Sequence, residues 1–299
     1  MAPRLLTSVA AALSEGRPVV ALESSVIAQG LPIPANAECL ARMTAAVERG
    51  GAVPAVAAVV RGVPTFGLTP DEQARFLARD GIRKVAARDL AFAVTRAEDG
   101  ATTVSATLAL MSLAGISVLA TGGIGGVHRE PAFDESADLV ELARTSAIVV
   151  CAGAKAILDL PATLERLDTL GVAVVGYRTD ELPGFITVGT GLRVPQRLDS
   201  ATDIARTFRA QQALGRPGTM LVVQPVPAHH ALDRETVDAA IAIALAEARA
   251  ASVVGAAVTP FLLAAVERAT GGRSLAANLS LLEHNASLAA EIAVALTTP

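Results

Sequence analysis

Apolar residues run along this chain in short unbroken bursts, separated by longer amphipathic stretches. Residues 18–22, 116–120, 147–150, 172–176 and 219–223 are almost purely Val, Ile, Leu and Ala, with Gly, Pro or Thr at their edges. Bursts of that length without polar alternation read as strands buried on both faces. Two more, 53–60 and 63–66, flank Arg61-Gly62 and predict a hairpin. Residues 82–86 read as a further strand. The stretches between show apolar positions three and four apart and predict helices at 5–14, 36–49, 70–79, 89–98, 102–114, 136–144, 161–170 and 202–214. Helices over 234–250, 260–270 and 275–296 close the chain, whereas 181–198 carries no clear period. Local signals punctuate this reading. Thr69-Pro70-Asp71-Glu72 is a capping box with proline at the first helical position, and Asn36 is placed to cap the helix that Gly50-Gly51 stops. Short buried strands alternating with helices predict an α/β fold, a single-domain three-layer α/β/α sandwich with a largely parallel or mixed sheet. No repeat or Pro/Gly-rich linker divides residues 1–299.

Composition narrows the function classes. The chain is 52% hydrophobic yet has no Trp, one Tyr and seven Phe, so the core must be aliphatic and base-stacking platforms are scarce. A net charge of −4 also argues against a nucleic-acid partner. Two cysteines make no disulfide framework, and the first residues lack the pattern of a signal peptide, so a cytoplasmic location is expected. Residues 100–127 carry no charge, but Thr and Gly interrupt them, and they read as a buried helix, turn and strand, with no membrane partner expected.

Parallel sheets bind ligands beyond the carboxyl ends of their strands. That rule selects Glu23 after the first burst, the glycine loop 122–126 after another, and Lys155 after Cys151-Ala152-Gly153-Ala154. Among 25 basic residues only Lys84 and Lys155 are lysines. Arginine cannot lose its proton near neutral pH and attack a carbonyl; lysine can. Lys155, at a small-residue turn after a buried strand, is therefore expected to be a Schiff-base nucleophile with a lowered pKa. Glu23 suits a general acid if burial raises its pKa, or else an ordinary capping carboxylate. The glycine loop admits an anion or sugar close to backbone amides, or is simply a tight turn. Asp134, Glu135 and Asp138, following His128, offer hard oxygen ligands for Mg²⁺ or Mn²⁺, or compensate the dipole of the helix they open. Lys84, near Arg83 and Arg88, could meet a phosphate together with the hydroxyls of Thr102, Thr103 and Ser105, or form a solvated basic turn.

Several ordered segments carry a family resemblance. They are Val20-Ala21-Leu22-Glu23-Ser24, Gly50-Gly51-Ala52-Val53-Pro54-Ala55, Gly100-Ala101-Thr102-Thr103-Val104, residues 121–128, Ser136-Ala137-Asp138-Leu139, residues 151–155, and Gly271-Gly272-Arg273-Ser274-Leu275 with Asn278. From about Pro18 onward the chain resembles the pseudouridine-5′-phosphate glycosidases. The resemblance implies a homotrimer that binds Mn²⁺ (or Mg²⁺) and ribose 5-phosphate. By matched position it makes Glu23 the proton donor, Lys155 the nucleophile and Asp134 the metal ligand. Lys84, Val104, Ser136, Ala137 and Asp138 would contact substrate, with His128 and Asn278 also lining the site. The chain departs from the family pattern at Gln29, Ile33, residues 86–89, the shortened loop 128–134 and Gly189-Thr190-Gly191. These departures lose polar groups and are expected to frame a larger, less polar acceptor than uracil. The expected reaction is therefore C-ribosylation of an aromatic polyketide, as in alnumycin-type antibiotic pathways. Splitting of pseudouridine 5′-phosphate into uracil and ribose 5-phosphate is the alternative. A non-catalytic sugar-phosphate sensor and a lysine-dependent aldolase remain as other classes.

Overall fold

The structure is a computed structural model and describes residues 1–130, 133–253 and 258–298. Its strands are β1 (Arg4–Leu5), β2 (Val19–Glu23), β3 (Val53–Val60), β4 (Val63–Phe66), β5 (Arg83–Val85) and β6 (Gly100–Thr102) in the first part of the chain. β7 (Val118–Ala120), β8 (Ile148–Cys151), β9 (Ala173–Tyr177), β10 (Gln196–Leu198) and β11 (Met220–Val223) follow. Its helices are α1 (Thr7–Ser14), α2 (Ala35–Arg49), α3 (Pro70–Ala78), α4 (Leu90–Thr95), α5 (Val104–Ala114) and α6 (Ala137–Arg144). α7 (Leu160–Thr169), α8 (Ala201–Ala213), α9 (Arg234–Ala250), α10 (Val258–Ala269) and α11 (Arg273–Thr297) complete the set.

One mixed sheet runs in the order β1-β4-β3-β2-β7-β8-β11-β9-β10. From β3 through β2 to β10 the neighbours are parallel. The first half of β3 pairs with β2, while its second half pairs antiparallel with β4 and with β6, which carries β5 at its side. The chain leaves β2 toward β3 on one side and returns through β7 on the other. A reversal of this kind opens a crevice at the strand ends. Helices α2, α11 and α8 form one layer and α5, α6 and α7 another, and both α11 and α5 pack on β2. The core is aliphatic; its only fully buried aromatic rings are Phe66, Phe76 and Phe208 among the described residues. No helix among the described residues is long and apolar enough to cross a membrane.

Local chemistry explains most boundaries. Thr69 accepts from the Glu72 amide at 3.3 Å while Glu72 accepts from the Thr69 amide at 2.9 Å, so the capping box forms as expected. Two expectations fail. Asn36 does not cap α2, which begins at Ala35; its buried amide instead donates to the carbonyls of Ile27 (3.0 Å) and Leu77 (2.9 Å) and ties α2 to neighbouring turns. Thr102 does not start α5 but ends β6, because its amide and hydroxyl are drawn to Ser24 Oγ (2.9 Å) and the Ala57 carbonyl (2.8 Å).

Candidate active site

Glu23 ends β2 and Thr121 follows β7, so both stand where the sheet order reverses. The Glu23 carboxyl is buried, and both its oxygens accept hydroxyl hydrogen bonds, one from Ser25 and one from Thr121. Burial pushes its pKa up; Lys155, Ser25 and Thr121 pull it back and Asp138 adds to the rise. The net direction is upward, which suits a proton donor.

Lys155 reaches the same crevice from the turn after β8. That turn is locked to the glycine loop: the Ile124 amide donates to Gly153 O at 3.1 Å and the Lys155 amide to Ile124 O at 3.1 Å. Lys84 arrives from β5, which lies off the main strand order, and borders the crevice with Glu23 and Lys155. Burial and the charge of Lys155 lower the Lys84 pKa, against the smaller opposite pull of Glu23 and Asp138.

The crevice has two arms that share Glu23, Ser25, Lys84, Lys155 and Thr259. The polar arm, about 260 Å³, is bordered by Thr103, Val104 and Ser105 at the start of α5 and by Ser136, Ala137 and Asp138 at the start of α6. Arg88, His128 and Asp134 also border it. Two helix N-termini with a lysine and an arginine are groups that favour an anion, set here among the carboxylates of Asp89, Asp134 and Asp138. The other arm is lined by Val26, Leu31, Phe185, Pro260, Leu263 and Leu282, and among the described residues Thr121 and the amides of Gln29 and Asn278 are the polar side chains it adds to the shared ones. A π-helical turn at Val26–Gly30 places Gln29 there.

The structure thus brings Glu23, Lys84, Thr103, Val104, His128, Asp134, Ser136, Ala137, Asp138 and Lys155 to one polar arm, and Asn278 to the apolar one. Thr102 lies beneath the site with its hydroxyl spent on Ala57. Asp138 borders the arm while each of its oxygens accepts one backbone amide, from Ser105 and from Gly125, both at 2.9 Å, which leaves each oxygen a further lone pair. The glycine loop therefore serves an internal carboxylate. A Cβ on Gly125 would stand 2.2 Å from Ser136 Oγ, so only glycine permits this approach. Glu135 pairs with Arg166 at 2.9 Å. No cluster of three metal-binding side chains exists among the described residues. Asp134 alone suits an ion that keeps most of its water, as Mg²⁺ and Mn²⁺ sites do, and not a closed protein cage.

Sequence reasoning missed Thr121, Ser25 and Asn285. Asn285 on α11 is 1% exposed; its amide donates to Thr121 O at 2.8 Å and accepts from Gln224 Nε2 at 3.0 Å. It pins the loop that presents the Thr121 hydroxyl to Glu23. Asn285→Ala is expected to destabilise the fold by about 2 kcal/mol, because it orphans buried partners. Urea unfolding measures this, and an unchanged midpoint would refute the role.

The departures from the family pattern scatter. Gln29 borders the apolar arm, Ala86 and Arg88 border the polar arm, and Ile33 is 60% exposed and faces neither. Gly189 and Thr190 line a separate cavity of about 350 Å³ with Asp159 and Arg234. They do not jointly frame an acceptor, so the argument for a large apolar acceptor loses its basis.

Comparison with known proteins fits this geometry. The profile of the family described as indigoidine synthase A like protein matches residues 8–295. A pseudouridine-5′-phosphate glycosidase of Gemmatimonas aurantiaca is 60% identical over 294 residues, covering 98% of this chain and 96% of the relative. One from Escherichia coli K12 is 48% identical over 286 residues, covering 94% and 91%. Among solved structures, the prealnumycin C-glycosynthase AlnA in complex with ribulose 5-phosphate superposes with a TM-score of 0.92 at 41% identity, covering 99% of this chain and 97% of that one. An indigoidine synthase A-like protein of Thermotoga maritima gives 0.91 at 35% identity, with the same coverage.

Proposed function

Since the chain belongs to the indigoidine synthase A-like family, we propose that it is a pseudouridine-5′-phosphate glycosidase, splitting the C–C bond between ribose C1 and uracil C5. One observation carries the reading: a buried acid, Glu23, and a lysine, Lys155, meet at the junction of an anion-binding arm and an apolar arm. The names of the 60% and 48% identical relatives favour this substrate over the aromatic polyketide expected from sequence. C-ribosylation in the manner of AlnA, at 41% identity, is the second reading.

The phosphate lies in the polar arm against the first amides of α5 and α6 and beside Lys84. A C-glycoside offers no leaving heteroatom to protonate, so C1 needs an electron sink. Glu23 gives its proton to the ring oxygen as a lone pair from the base breaks the C1–O bond. The Lys155 amine adds to C1, and the resulting ammonium proton is passed to uracil C5. The C1–C5 bond then breaks with its electrons staying on the base, leaving an iminium between C1 and Lys155. Water adds to the iminium and releases ribose 5-phosphate and the amine. One water is consumed overall. A divalent ion, held through Asp134, would offset negative charge on the sugar phosphate.

Incubation with pseudouridine 5′-phosphate is expected to release uracil and ribose 5-phosphate in equal amounts. Turnover of an aromatic acceptor with ribose 5-phosphate, without release of uracil, would overturn the reading in favour of synthesis. Lys84→Met is expected to lower kcat/KM for the phosphorylated substrate by about 10- to 100-fold, the range for a hydrogen bond to a charged group. The unphosphorylated nucleoside should be affected far less. Equal losses on both would place Lys84 elsewhere.

A further inference from the structure

Glu23 and Lys155 both border the apolar arm, and Phe185 supplies the only phenyl or phenol ring on either arm among the described residues. That ring is carried on a strained backbone. Phe185 has φ +67°, and of the seven described non-glycine residues at positive φ it alone borders the crevice. A bulky residue persists in that region only where its surroundings hold it, and such outliers gather at functional sites. The surroundings hold this one firmly. Its amide donates to Ala152 O at 3.1 Å, in the turn that carries Lys155, and the next carbonyl, Ile186 O, accepts from the Leu232 amide at 2.9 Å. Gly123 supplies the space. A Cβ there would stand 2.8 Å from Phe185 Cδ2 and 2.9 Å from Gly153 O, so the glycine loop admits the ring only because position 123 has no side chain. Filling space alone would need neither the strain nor the glycine, since aliphatic side chains do that throughout this core.

We propose that Phe185 is the wall against which the departing ring packs, and that it selects a planar unsaturated ring over a saturated one of the same polar outline. The proposal rests on the pseudouridine-5′-phosphate glycosidase reading. In that reading C1 lies between Glu23 and Lys155 with the phosphate in the polar arm, so the ring bonded to C1 extends into the apolar arm. Val26, Leu31, Leu263 and Leu282 cover a flat ring and a puckered one alike. Phe185 does not, because contact between two planar π systems is worth more than the area it buries. The hydrogen bonds on either side of Phe185 fix this wall before substrate arrives, so little ordering is left to be done on binding.

Uracil and 5,6-dihydrouracil share one imide edge and differ in flatness and unsaturation, so product inhibition by the two rings isolates this contact. On the wild-type protein dihydrouracil is expected to inhibit about 10-fold more weakly than uracil. Phe185→Leu keeps a large apolar side chain; it should weaken uracil to the level of dihydrouracil, a coupling that loss of packing alone would not produce. Phe185→Met serves the same purpose if the leucine variant does not fold. Borohydride trapping of ribose 5-phosphate on Lys155 should be unchanged in the variant, because the sugar does not touch the ring. Four results overturn this proposal alone: equal inhibition by the two rings on the wild type, inhibition by neither, a preference that survives in the variant, or trapping lost from a folded variant. A wild-type protein that does not split pseudouridine 5′-phosphate overturns the reading beneath it.

Discussion

Replacing Lys155 with arginine is expected to abolish turnover of pseudouridine 5′-phosphate, by at least about 10⁴-fold. The substitution keeps the positive charge and much of the length of the side chain. It removes only the capacity to become a neutral amine and form a carbon–nitrogen double bond. Substrate binding should therefore survive. In the proposed reading Lys84 and the starts of α5 and α6 hold the phosphate, and arginine keeps the positive charge that Lys155 places on the same wall. An equilibrium binding measurement alongside the rate assay separates the two effects. If Lys155→Arg retains more than about a tenth of the activity, the lysine serves as a charge and the iminium route is wrong.

Glu23→Gln is the second large expectation. Loss of a positioned general acid costs about 10² to 10⁴ in rate. The pH dependence gives a sharper signature. Burial raises the pKa of Glu23, so its protonated form persists above the pH at which an exposed glutamate ionises. Activity that needs the protonated acid falls as pH rises through that raised value, and this limb should vanish in Glu23→Gln. Stability follows the same proton. The native state holds the Glu23 proton more tightly than the unfolded chain does. The stability that this proton contributes is full below the unfolded pKa and is lost as pH rises through the folded one. Glutamine cannot ionise, so the variant should be the more stable of the two at neutral and alkaline pH while being far less active. Thermal melts between pH 4 and pH 8 would show the two proteins diverging as pH rises; parallel curves would contradict the burial argument.

Much of this site was legible in the sequence, for a physical reason. Glu23 follows an unbroken apolar burst directly, Lys155 follows one after the turn Cys151-Ala152-Gly153-Ala154, and a parallel sheet fixes where strand ends go. Lys84 was visible through the scarcity of lysine, its basic neighbours and the family resemblance but not through its place in the fold, because the β5–β6 pair that carries it to the crevice depends on β3 splitting its partners. Asn285 and Thr121 were not legible as a pair. Their contact joins positions 164 apart and exists only once α11 packs over the end of β7. The acidic run at 134–138 misled in part, since its members look alike in sequence and differ in what they meet. Asp138 clamps two backbone amides, Glu135 meets Arg166, and Asp134 stays on the wall of the polar arm. Asn36 shows the same limit, because a position that suits a cap was taken up by two carbonyls from distant turns. The departures at Ile33 and Gly189 could be sorted from Gln29 only by their places around the crevice.

The most direct test of the central claim is reduction with borohydride during turnover of pseudouridine 5′-phosphate, followed by mass spectrometry of the peptide that contains Lys155. The account predicts a five-carbon sugar phosphate linked through C1 to Lys155, formed in step with released uracil. A shorter carbon chain on the lysine would indicate cleavage within the sugar. Release of uracil with no adduct on Lys155 would contradict the mechanism.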